Sequence, residues 1–230
     1  RGSVPSLKSK MLMVDSTTGD DLALIDADWI TAMRTGAVAA LAIDTLQRKG
    51  SETYAFVGLG VIGRAVLQCL AAINPGRTLR IRLKRYKDHA ERIMEEFAGY
   101  DNLAFETADD MESLVRDADV VVSCITSAEG LLVEDLSLFR PGVLVVPVHT
   151  RGFQNCDGVF DRVVADDTGH VSGFRYFDLF RNFTELADVL ADPAKGRQSD
   201  SERILAYNIG IALHDVVFGK KILEMTVPAQ

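Results

Sequence analysis

Two apolar runs, MLMVD and LALID, flank the turn-forming stretch Ser16-Thr17-Thr18-Gly19-Asp20, a spacing that predicts a β-hairpin over residues 11–26. Helical spacing of apolar positions follows from Trp29 to about Arg48, with Asp28 as the expected N-cap. From Thr53 the element types alternate. YAFVG, TLRIRLKRY, LAFETA, ADVVVSCIT and GVLVVPV read as strands. Residues 61–73, 88–98 and 110–117 read as the helices between them, and residues 131–139 as a helix-like segment. DRVVADD adds a strand, a helix is expected around 183–190, DPAKGRQSD reads as loop, and a last helix is expected from Ser201 to about Ile222. Strands that alternate with amphipathic helices, two of them nearly continuous valine, predict a parallel sheet covered on both faces: an α/β protein.

Composition narrows the partners. A formal net charge of −8 over 230 residues argues against a nucleic-acid or anionic-membrane partner, which would need a basic face. The three cysteines, Cys69, Cys124 and Cys156, are odd in number and lack C-x-x-C spacing, so reduced thiols of a cytoplasmic protein are expected. No apolar run reaches the length of a membrane span. The start, RGSVPSLKSK, has no initiator methionine, which a tag remnant or a missing upstream piece would explain.

FVGLGVIGRA carries the sharpest chemical signal. Gly58, Gly60 and Gly63 stand in G-x-G-x-x-G spacing directly after a strand, and Val61 and Ile62 open a helix. The first glycine permits a tight turn, the second lets a pyrophosphate approach the backbone, and the third allows close packing of helix on strand. This context predicts a Rossmann-type doubly wound parallel sheet. At the end of the second strand an acidic residue would bind the ribose hydroxyls of NAD. LKRYKDH instead places Lys84 and Arg85 there, which suits a 2′-phosphate, so NADP(H) is favoured over NAD(H), with a solvated basic strand end as the competing explanation. Thr126 and Ser127 end the VVVSCIT strand, where ligands of such sheets collect, and they read as cofactor wall or as ordinary turn formers. Val148, His149 and Arg151, in VVPVHTRGFQNCD, fall at the next strand end on the nicotinamide side. His149 could transfer a proton and Arg151 could bind a carboxylate, although a lone histidine is more often structural. His89, His170 and His214 show no ligand spacing, so no metal is expected, and no G-x-S-x-G elbow supports a serine hydrolase.

Arg34 remains an oddity. It lies in the early part of a helix otherwise built of Ala, Gly, Val and Leu, where the helix dipole is already positive, and it calls for an anion opposite it. WITAMRTGAVAALA, followed by FVGLGVIGRA and later by ILAYNIGIALHDVVFGKKI, resembles the ornithine cyclodeaminase/μ-crystallin family. The resemblance implies an NAD(P)-dependent oxidoreductase or cyclodeaminase acting on α-amino or α-imino acids, usually as a homodimer. It implies that Arg34 holds the substrate carboxylate, that Thr35 contacts cofactor phosphate, and that Asn208, where many members have Ser, lies near the cofactor. It further implies that residues 1–28 are a hairpin belonging to a substrate/dimerisation domain. On the same basis residues 29–190 are the dinucleotide-binding domain, and 191–230 a loop and helix packing back toward the first.

Two departures qualify the likeness. The chain enters the family pattern after an N-terminal segment that supplies further substrate-binding residues and most of the dimer interface, which favours a missing, cleaved or separate upstream chain. The Asp-x-Pro-Gly-Lys stretch of ornithine cyclodeaminases is also replaced by VHTRGFQNCD, closer to the branch of siderophore-type amino-acid dehydrogenases. Hydride transfer at the α-carbon of an amino or imino acid is therefore the expected activity. Deaminating cyclisation of ornithine and a non-catalytic NADP(H)-dependent binding protein are the alternatives.

Overall fold

The computed structural model describes residues 8–226. The expectations attached to residues 1–7 and 227–230 lie outside the described residues. A two-stranded antiparallel sheet, β1 (Lys10–Val14) and β2 (Asp21–Asp26), forms the expected hairpin with Leu12 opposite Leu24. Helix α1 (Asp28–Leu46) leads into a repeating series: β3 (Thr53–Val57), α2 (Val61–Ile73), β4 (Leu79–Lys84), α3 (His89–Glu96), β5 (Leu103–Ala108), α4 (Met111–Val115) and β6 (Val120–Ser123). Then come β7 (Leu144–Pro147), β8 (Arg162–Ala165), the single turn α5 (Thr168–Val171), β9 (Thr184–Glu185), α6 (Leu186–Ala191), β10 (Ile204–Tyr207) and α7 (Ala212–Thr226).

The eight later strands form one parallel sheet in the order β5-β4-β3-β6-β7-β10-β8-β9. β3, β6, β7, β8 and β10 are buried along their whole length, as expected of strands covered on both faces. One buried apolar cluster, including Ile43, Leu46 and Leu67, fills one face, and a second, including Phe153, Phe160 and Tyr207, fills the other. Each such side chain contributes about 1.5–3 kcal/mol on burial.

Small residues set how close α1 comes to α2. A Cβ on Gly36 would lie 2.6 Å from the Ala65 Cβ, so the two backbones pack where only glycine fits. At the opposite end of the sheet Asp119 acts as a tie. Its carboxylate accepts from Arg48, from Arg140 and from the N–H groups of Glu52 and Thr53, which joins α1, β3 and β6. Burial would raise its pKa, but the Thr53 and Glu52 amides and Arg48 outweigh that and hold it below the usual carboxylate range.

Four expected elements come out differently. Asp28 is not the N-cap. Ala27 occupies that position without a side-chain hydrogen bond, and the Asp28 carboxylate accepts from Ser9 N–H at 2.5 Å. Residues 131–139 form only a single 3-10 turn, Leu136–Leu138. The helix expected around 183–190 is α6, preceded by the short edge strand β9. The expected helix from Ser201 to Ile222 is two elements: ILAY is β10, inserted between β7 and β8, and α7 begins only at Ala212. A four-residue apolar run buried on both faces carries no period that separates strand from helix. The central sheet consequently draws a strand from beyond residue 190.

Candidate functional site: a glycine-lined crevice and an arginine cluster

The strand order reverses between β3 and β6, the point where an open α/β sheet leaves a crevice outside its carboxyl ends. Gly58 follows β3 with φ +86°, and a Cβ there would lie 2.5 Å from the Ile125 nitrogen, so only glycine lets the two strand ends approach. A Cβ on Gly63 would meet the Gly58 carbonyl oxygen at 2.6 Å, which presses α2 onto β3. Gly60 is different: a Cβ there would meet nothing within 4 Å. Its backbone faces open space at the start of α2, where Val61, Ile62 and Gly63 supply first-turn N–H groups that have no acceptor within the helix.

That space is a crevice of about 610 Å³. Gly58 and Gly60 form its floor, Lys84 and Arg85 one wall, and Thr126 and Ser127 another, so six of the expected residues converge. Tyr86 and His89, in edge-to-face contact with ring centroids 5.4 Å apart, join the basic wall. The sequence offered neither as a crevice residue, although Tyr86 directly follows the basic pair. Lys84 donates to the carbonyls of Arg85 and Asp109 at 3.0 and 2.8 Å, and Arg85 pairs with Asp109 at 3.0 Å and Glu91 at 3.4 Å. These exposed pairs are weak, and an incoming phosphate can displace them. Cys124 also lines the crevice, but burial pushes its thiol up to about 12, which leaves it an unreactive thiol.

Val148 N–H donates to the Ser123 carbonyl at 2.8 Å, fixing the end of β7 beside β6. His149 then turns back on the sheet. Its Nε2 lies 2.6 Å from the hydroxyl of fully buried Ser123, and its ring stacks on Phe153. Burial lowers the His149 pKa, opposed by a backbone hydrogen bond at Arg151, so the neutral ring is favoured. Arg151 itself is exposed on the following loop. Asn208, following β10, donates from Nδ2 to the Ala206 carbonyl at 3.0 Å, while its Oδ1 is buried without a partner among the described residues.

Arg34 lies in the second turn of α1, beyond the reach of the helix dipole, and an anion does stand opposite it. Its Nε donates to Asp215 Oδ1 on α7 at 3.1 Å, and its Nη1 is buried without an acceptor among the described residues. Thr35 beside it is buried and donates its hydroxyl to the Thr31 carbonyl at 2.8 Å. Around this pair gather groups that sequence spacing left unconnected. Asp166, at the end of β8, accepts from Gly210 N–H and lies 3.5 Å from His170 Nδ1, and His214 lies within the fields of Asp166, Arg34 and Asp215. The available signal was the pair of acidic residues in VVADD at a strand end. With ILAY expected as part of a helix, nothing in the sequence brings that strand end against residues 210–215.

A glycine turn and a helix start at the switch point of a doubly wound parallel sheet define a Rossmann-type fold. The sequence profile of the ornithine cyclodeaminase/mu-crystallin family matches residues 1–157, and the chain belongs to that family. It is 28% identical over 229 residues to the nodulation efficiency protein NfeD of Rhizobium meliloti, covering 96% of this chain and 70% of that protein. It is 25% identical to a Delta(1)-pyrroline-2-carboxylate reductase of Bacillus cereus, over 93% of this chain and 70% of that one. The structure of the Thermococcus litoralis Delta(1)-pyrroline-2-carboxylate reductase in complex with NADH and L-proline matches with a TM-score of 0.82 at 23% identity, covering 96% of this chain and 72% of that one.

Proposed function

We propose that this protein is an NAD(P)-dependent oxidoreductase that moves a hydride to or from the α-carbon of an amino or imino acid. The observation that carries this reading is the open backbone at Gly60, set between Gly58 and the start of α2 at the switch point of the sheet. The bound nicotinamide would supply the hydride, and the protein supplies binding, orientation and exclusion of water. Gly58, Gly60, Val61, Ile62 and Gly63 offer backbone N–H groups and clearance for a pyrophosphate, and Thr35 is assigned to the same phosphates once its hydroxyl turns from Thr31. Thr126, Ser127 and Val148 border the path toward the nicotinamide. Asn208 fits its carboxamide, because the buried and unpartnered Oδ1 needs a donor.

NADP(H) is the favoured cofactor within this reading. Lys84 ends β4 and Arg85 follows it, where an acidic residue would select NAD, and the cations suit a 2′-phosphate. Arg34 is assigned to the substrate carboxylate, because it is a largely buried guanidinium with an unused donor. Arg151 is assigned to the substrate side of the β7 loop. His149, neutral and tied to Ser123, is the assigned proton-transfer group. The reductase named among the relatives supports a cyclic imino acid as the first substrate to assay.

A cytoplasmic homodimer is part of the same reading. The hairpin exposes Leu12, Val14 and Leu24, and α7 exposes Leu213, Val216 and Val217, apolar area of the kind a partner covers. That partner is a second copy of this chain. Fluorescence titration with NADPH and NADH tests the cofactor, and initial rates with Δ1-pyrroline-2-carboxylate and a panel of α-amino acids test the reaction. Failure to bind either nucleotide sinks the proposal. Binding without turnover across the panel leaves the cofactor-dependent binding protein.

A further inference from the structure

The turn between β10 and α7 does more than join two elements. Asp166 Oδ2 accepts from Gly210 N–H, which fixes the turn to the end of β8. Gly210 adopts φ +94°, and a Cβ there would overlap Arg34 Nη1, so the bare backbone is what permits the guanidinium to lie against it. The Arg34 Nε–H points the other way, to Asp215 Oδ1 at 3.1 Å, with the two side chains only 13% and 20% exposed. One edge of Arg34 is thus held by a carboxylate, and Nη1 is kept dry without an acceptor.

We propose that Asp215 is a positioning residue for substrate: by holding Arg34 Nε, while Nη1 packs against Gly210, it fixes the guanidinium so that Nη2 is left to meet a carboxylate. This rests on the reading of Arg34 as the carboxylate anchor. An arginine free to rotate would lose side-chain freedom on binding, and a fixed one has already lost it. Asp215 also neutralises a cation that would otherwise be left unpaired in a mostly buried site. His214, adjacent in sequence, contributes no fixed charge to this arrangement near neutral pH, because burial holds its pKa low against the opposing field of Asp166.

The test uses the whole chain with NADPH or NADH and Δ1-pyrroline-2-carboxylate as the probe, comparing wild type with Asp215→Ala, Asp215→Asn and Arg34→Ala. Asp215→Ala is expected to raise KM for the imino acid by about tenfold with a much smaller change in kcat, the pattern of lost binding alignment. Asp215→Asn keeps an acceptor for Nε–H and should recover most of that loss. Nucleotide Kd, read by fluorescence, should stay within about twofold in both variants, whereas a merely structural role would shift it together with the melting temperature. If Asp215→Ala proves unfolded, Asp215→Glu, which displaces the acceptor by one methylene, carries the same comparison. An unchanged KM in Asp215→Ala or Asp215→Glu, beside a raised KM in Arg34→Ala, overturns the positioning role and leaves the Arg34 reading standing. An unchanged KM in Arg34→Ala, or no turnover of the probe by wild type, overturns both.

Discussion

The Ser123 hydroxyl lies 2.6 Å from Nε2 of His149, joining the end of β6 to the loop that follows β7. This contact gives the only histidine at that strand end a fixed ring orientation. It also makes the ring's protonation state a property of the fold.

His149 is held neutral by burial, so its folded pKa lies below its unfolded value of 6.5. The unfolded chain then binds a proton first as pH falls, and stability is lost from about pH 6.5 downward until the folded pKa is reached. An NMR titration of the His149 ring should show a midpoint below 6.5. Ser123→Ala should cost about 1–3 kcal/mol in urea unfolding, since it leaves Nε2 buried without its partner. A midpoint at or above 6.5 would contradict this placement of the ring.

Gly58 and Gly60 should respond to alanine in opposite ways. At Gly58 the positive φ and the 2.5 Å approach to Ile125 N make Gly58→Ala costly, about 2–5 kcal/mol from strain and overlap. Gly60→Ala meets open space at φ −81° and should raise stability by about 0.4–1 kcal/mol through the unfolded chain. Its cost should appear in the nucleotide Kd instead. Thermal melts and fluorescence titrations of the two variants read the difference, and a Gly60→Ala protein that binds nucleotide as tightly as wild type would speak against a pyrophosphate at this turn.

Arg85→Ala should separate the two cofactors. Charge-assisted hydrogen bonds to a 2′-phosphate are worth about 1.5–3 kcal/mol, so NADPH affinity should fall roughly 10- to 100-fold. NADH affinity should barely change, because Arg85 is otherwise spent on exposed pairs with Asp109 and Glu91. Equal losses for both nucleotides would remove the argument for NADP(H).

Asp157 offers a second pH signature, of opposite sign. Burial pushes its carboxyl up to about 6 against the hydrogen bond from Tyr207, which donates at 2.7 Å, and Asp157 Oδ2 has no partner among the described residues. The folded state therefore binds the extra proton, and its stabilising effect fades as pH rises from about 4 to about 6. Asp157→Asn should stabilise the protein by roughly 2–3 kcal/mol at pH 8 and by little at pH 4. Denaturation midpoints at the two pH values check it.

Local sequence chemistry was enough for much of the site. The glycines of FVGLGVIGRA, the basic pair after β4 and the hydroxyls after β6 could be placed from strand ends alone, because a parallel sheet gathers its carboxyl ends on one side. Asp166, His170, His214 and Asp215 were not legible in that way. Their meeting depends on ILAY pairing with β7 and β8, and so short an apolar run has no period of its own.

Periodicity and glycine spacing by themselves determined an α/β protein with a doubly wound parallel sheet and a nucleotide-shaped turn at its first strand. Those features follow from rules acting over a few residues: which face is apolar, where φ must be positive, where a helix begins. Only the tertiary structure decided that the last strand enters the middle of the sheet, that Arg34 answers to Asp215, and that His149 folds back on Ser123. Each of those depends on a contact between residues far apart in the chain, and the energy that selects it comes from burial and hydrogen bonding that exist only once the sheet is assembled.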